Sequence, residues 1–106
     1  MIFASVFIWC IEELTSIDRI IQESKAFRHC LAASYAHRII EGEYVAFHVV
    51  PLDSNLTPMT LGCMLQNDVL IFDQLEHAHN QKAQVTAIMV ACRLVEFLNA
   101  QHHPSY

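Results

Sequence analysis

Three short apolar runs with very short links between them limit this chain most strongly. Residues 44–50 read Tyr-Val-Ala-Phe-His-Val-Val, rich in the β-branched and aromatic residues that suit a pleated surface. Val45, Phe47 and Val49 point to one face, and Tyr44, Ala46, His48 and Val50 to the other. Residues 59–65 and 69–75 form two further strands, joined across Gln66-Asn67-Asp68 by a tight hairpin turn. A polar loop, 51–58, lies between the first and second of these strands. It is bounded by Pro51 and Pro58, which a central strand would not tolerate. Three consecutive strands linked this closely predict an antiparallel meander.

Helices account for much of the remainder. Thr15 or Ser16 is a good N-cap, with Thr15-x-x-Asp18 as a loose capping box, and Ile17, Ile20 and Ile21 have the spacing of a buried helical face. This predicts a first helix to about residue 24. A second helix follows over 26–40, with Phe27, Leu31, Tyr35 and Ile39 in one row. Gly42 ends it in a left-handed cap. A last helix, 81–101, takes Asn80 as its N-cap and is apolar almost all round. Residues 2–9 predict an opening strand, followed by a charged turn at Glu12-Glu13. The order is β-α-α-β-β-β-α. The expected class is α+β: a single domain over 1–106, an antiparallel sheet meander covered by helices on one face.

Composition narrows the function. Hydrophobic residues make up 54% of the chain and charged residues 16%, so either the core is well filled or a partner covers apolar surface. Six basic residues stand against eleven acidic ones, a formal charge of -5, which argues against a nucleic-acid partner held by phosphate contacts. No apolar run reaches the roughly 18 residues of a membrane span. Cys10, Cys30, Cys63 and Cys92 form no C-x-x-C pair, and no charged leader with a cleavage site precedes them. Reduced thiols in a cytoplasmic protein are the expectation. The nearly all-round apolar last helix suits a protein partner or a homodimer.

The candidate chemistry lies at two places. One is the helix carrying His29-Cys30 and, a turn later, Ser34-Tyr35. The other is the phrase from Asp73-Gln74 to Asn80. A thiolate with an imidazole nearby is a nucleophile, so Cys30 with His29, or with His48 or His77 as base, would suit a hydrolase or transferase. Gln74 or Asn80 would then orient the histidine or an oxyanion. The plainer reading of Cys30 is a core residue, since free cysteine is among the most buried types. His77-x-His79, with Cys63 or His48 as a third ligand, is too sparse for a structural zinc site, and no metal or other cofactor is expected. Motifs for nucleotide binding and the commoner hydrolases are absent.

His29-Cys30, Ser34-Tyr35, Gly42, Thr60, Gln74 and Asn80, in this order and spacing, resemble the core of the PcfJ-like family of mobile-element proteins. The resemblance covers roughly residues 11–82. It implies an α+β fold and an origin on a conjugative plasmid or phage. Three departures stand out: one extra Ala before Ser34, Gly62 where the family usually has an acid, and Leu75-Glu76 where it has a basic-Gly pair. If the family acts through that acid, this chain has lost the activity.

The expectation is therefore an accessory protein of a mobile element. Its small polar pocket would be built from His29, Cys30, Tyr35, Gln74 and Asn80, with Thr60 beside them. A non-catalytic binding or inhibitor domain acting through its apolar helix is the alternative, and a Cys30-dependent enzyme a further one.

Overall fold

The computed structural model describes residues 9–27, 31–52, 57–78 and 81–102. They form β1 (Trp9–Glu13), α1 (Ile17–Phe27), α2 (Leu31–Ile40), β2 (Tyr44–Pro51), β3 (Met59–Gln66), β4 (Val69–Glu76) and α3 (Val85–His102). The four strands make one antiparallel sheet in the order β1-β2-β3-β4. This is the α+β class and the element order that the sequence predicts.

Local chemistry sets the joints. Ser16 caps α1, its hydroxyl accepting the Arg19 amide at 3.2 Å. Gly42, at φ 78°, ends α2 in a Schellman motif: the Glu43 amide donates to Arg38 O at 2.8 Å, and the Gly42 amide to Ile39 O at 3.1 Å. Asn67 and Asp68, at φ 51° and 65°, make the two-residue turn between β3 and β4. Positive φ at both central positions is what a type I′ hairpin requires, and Asn and Asp tolerate it best among residues with side chains.

The helices cover both faces of the sheet rather than one. Phe47, Val49, Met59, Leu61, Cys63 and Leu75 pack with Ala87, Ala91 and Val95 of α3. On the opposite face Ala46 packs with Leu14 and Ile20, joined by Tyr35, Ala36 and Ile39 of α2. The cause lies in the middle strands. Every residue from Met59 to Cys63 is buried, and so are Tyr44, Ala46, Phe47 and Val49. A strand apolar on both sides needs cover on both sides.

Three elements are displaced from their expected places. Only Trp9 of the expected strand 2–9 falls within the described residues. The observed β1 instead runs through Glu12 and Glu13, where a turn is expected, because Glu12 faces His48 and Glu13 faces Phe47 across the ladder. The first helix continues to Phe27, which therefore belongs to α1 and not to the row on α2. On α1 the buried face is Ile20 and Glu23, while Ile17 and Ile21 are exposed. The last helix begins at Val85, so Asn80, outside the described residues, is not its N-cap. The intervening backbone is committed to the sheet. Lys82 bridges Glu76, the Ala83 amide donates to Leu75 O at 3.1 Å, and the His77 amide to Gln81 O at 2.7 Å. Small Ala87 and Ala91 face the core, which lets α3 lie close to the strands and turns Val85 and Met89 outward.

At its other end α3 holds the same edge of β4. The Asn99 side chain accepts the Leu70 amide at 2.8 Å and donates to Leu70 O at 2.9 Å, as a neighbouring strand would. Asn99→Ala leaves both Leu70 groups without these partners. It is expected to cost about 1–3 kcal/mol at an unchanged m-value, read by urea unfolding. A loss near zero would show that water replaces the clamp.

Candidate functional site

A β-bulge builds the first half of the site. Gly62 faces Gln74 and Cys63 faces Phe72, so Asp73 is an extra residue between them. The extra residue breaks the alternation of β4, and Asp73 and Gln74 both reach the face covered by α1 and α2. There they meet the Tyr44 hydroxyl, which donates to Asp73 Oδ2 at 2.7 Å and accepts from Gln74 Nε2 at 3.3 Å. Strict alternation would put Gln74 beside Leu70 and Phe72, as the sequence predicts. The bulge moves it to the opposite face.

Gly62 makes room for this arrangement. A Cβ at position 62 would collide with Tyr44 Oη and lie 2.9 Å from its Cζ. The Tyr44 ring therefore lies directly across the glycine. Tyr35 of α2 stacks on it at 4.6 Å between centroids and 16° between planes. The Arg38 guanidinium sits 5.3 Å from the Tyr44 centroid and 5.7 Å from that of Tyr35, within cation–π range of both. Burial raises the Tyr44 phenol far above its ordinary value, and the Asp73 carboxylate adds to the shift. Tyr44 is thus a neutral hydrogen-bonding group held between a carboxylate and an amide.

The second half is a polar row across the sheet. Glu12, His48, Thr60 and Glu76 stand directly opposite one another on successive strands. Glu23 comes down onto this row from α1 and is only 2% exposed. Its carboxylate is met by His48 Nδ1 at 3.0 Å from each oxygen and by the Thr60 hydroxyl on Oε2. Arg19 reaches Glu23 at 3.9 Å and grips Glu12 with two bonds of 2.7 and 2.8 Å. The bond from Arg19 is the main reason the Glu12 carboxyl lies below its usual range. A buried carboxylate is tolerable only with such partners.

The candidate residues divide between these two halves. Tyr35 and Gln74 come together at Tyr44, and Thr60 lies one row away beneath Glu23. His29, Cys30 and Asn80 lie outside the described residues. Of the histidines weighed as a base for Cys30, His48 is engaged by Glu23 and His77 Nδ1 by the Thr57 hydroxyl at 2.8 Å. Cys63 is fully buried, and its thiol is pushed up to about 12, chiefly by burial. Among the described residues no group of three His, Cys, Asp or Glu side chains could hold a metal ion. Nor is any described helix long and apolar enough to cross a membrane.

Glu23, Tyr44, Asp73 and Arg38 are absent from the sequence-derived set. Glu23 was findable, since it follows the buried Ile20 by three positions, on the inner side of α1. The Asp73 contact depends on the bulge, which the alternation of β4 does not announce.

The chain matches no protein-family model, no curated protein and no solved structure. What the site can do is therefore read from its own geometry: it offers a carboxylate, an amide, stacked aromatic rings and a guanidinium on one face of the sheet.

Three outcomes follow. Gly62→Ala drives a methyl into the Tyr44 ring and is expected to destabilise the fold by about 1–3 kcal/mol. Gly62→Ala with Tyr44→Phe should recover part of this loss in thermal or urea unfolding, and no recovery would place the strain elsewhere. Glu12 has a depressed folded pKa, so its contribution is present above the ordinary carboxylate range and is lost as pH falls through the folded value. Wild type should therefore exceed Glu12→Gln in stability at neutral pH, with the difference vanishing in acid. A pH-independent difference would exclude the charged pair as its source. Exposed Cys10 should alkylate in the folded protein at pH 8, whereas Cys63 should label only on unfolding, as read by mass spectrometry.

Proposed function

We propose that this chain is a cytoplasmic accessory protein of a plasmid or phage, similar to the PcfJ-like core. It binds its ligand or partner protein where this polar face reaches the surface, at half-buried Tyr35, Arg38 and Gln74 and exposed Asp73. The observation that carries this reading is the meeting of Tyr35 and Gln74 at Tyr44. These two residues of the resemblance stand 39 positions apart, yet one stacks on the Tyr44 ring and the other bonds its hydroxyl. Thr60, also part of the resemblance, lies under Glu23 on the same face. The missing family acid at position 62 supports binding over catalysis, because the Tyr44 ring occupies the space that its side chain would need.

The test is genetic and structural together. Deleting the coding sequence from its element should lower conjugative transfer or phage yield, and wild-type protein supplied in trans should restore it. Gln74→Ala, shown by circular dichroism to fold, should fail to restore it. Unchanged transfer and phage yield after deletion would overturn the reading.

A second reading concerns the partner. A further copy of the chain covers α3. Val85 and Met89, one turn apart on that helix, are 72% and 62% exposed, which favours an apolar contact there. Sedimentation equilibrium showing only monomer up to the solubility limit would exclude it.

A further inference from the structure

The outward side of α3 is self-complementary. At about 100° per residue, Val85, Thr86, Met89, Val90, Arg93, Glu96, Phe97 and Ala100 fall on the side of the helix away from the buried Ala87, Ala91 and Val95. Phe97 is 39% exposed, and Arg93 and Glu96 are exposed near the middle of the stripe. Neither Arg93 nor Glu96 makes an ion pair among the described residues. An apolar stripe with one cation and one anion beside its midpoint has a simple two-fold solution. A second α3 running antiparallel places each Arg93 against the partner's Glu96, twice about one axis.

We propose that two copies of this chain pair through α3 in this antiparallel register, with reciprocal Arg93–Glu96 contacts at the centre. The inference rests on the reading of a second copy as the partner, and it adds the geometry. The register that brings Arg93 to the partner's Glu96 also brings Met89 to the partner's Ala100. A large side chain thereby faces a small one, as close helix packing needs. Shifting the axis onto Arg93 itself would instead oppose two guanidinium groups. The charges therefore select the register, and the apolar side chains supply the contact area. At most eight side chains per copy take part, well below the roughly 20–30 of a standard interface, so the dimer is weak and concentration-dependent.

Charge reversal on the full chain tests this by sedimentation equilibrium, with circular dichroism confirming the fold of each variant. Wild type should be in a monomer–dimer equilibrium. Arg93→Glu alone and Glu96→Arg alone should each be monomeric at concentrations where wild type pairs. Mixing the two single variants should restore pairing, because the mixed dimer has one cation opposite one anion at both central contacts. The double variant Arg93→Glu/Glu96→Arg should pair as wild type does. A wild-type dimer that both single reversals leave intact would overturn the register while keeping the second copy as partner. Failure of the mixture to restore pairing would also overturn the register. A wild type that is monomeric throughout would overturn both.

Discussion

Strands β2 and β3 bury side chains on both of their faces, and the rest of the molecule answers that demand. From Met59 to Cys63 no residue is left to solvent. One layer of helices could not cover such a strand. The chain places α1 and α2 before the central hairpins and α3 after them, which puts a helix within reach of each face. The layers differ in character. Beneath α3 the contact is almost wholly apolar, built on small residues that allow close approach. Beneath α1 and α2 the apolar patch is small, and polar groups fill the rest of the interface.

That asymmetry explains why the candidate site lies where it does. Burying Glu23, Tyr44 and Thr60 carries a desolvation penalty, offset only when each group finds partners. The penalty is met twice over, by the Tyr44–Asp73–Gln74 cluster and by the Glu23–His48–Thr60 cluster. Strand register fixes the first cluster wholly and places His48 and Thr60 of the second, onto which α1 lowers Glu23, so regular elements and not flexible loops set the geometry of both. A site built on strands is held more rigidly than one on loops, as discriminating between similar ligands requires.

Much of the fold was legible in the sequence because its strongest signals are local. Gly42 as a left-handed cap, Asn67-Asp68 as a turn and the alternating faces of residues 44–50 each depend on near neighbours. Where the reading failed, the deciding interaction came from far along the chain. Glu12 and Glu13 look like a turn until β2 is beside them. Gln81 to Ala83 look helical until the edge of β4 takes their backbone groups. Gln74 changes face because Asp73 is one residue too many opposite β3, and alternation within β4 carries no trace of that count. The pairing of Glu23 with His48 spans 25 positions. Only the placement of Glu23 on the inner side of α1, after Ile20, hinted at it. The convergence of Tyr35 and Gln74 needed both the bulge and the glycine.

The grip of Asn99 on Leu70 has a consequence for how this sheet could grow. An open antiparallel sheet has two margins, and either can template a further strand from another polypeptide. Here α3 blocks one margin with a side-chain amide near the start of β4, and the segment leading into α3 blocks it again near the end. One helix thus shields a face of the sheet and, with its lead-in, fastens down a border. In the described part of the molecule the β4 border is fastened near both of its ends, which leaves only a short length of it for an added strand.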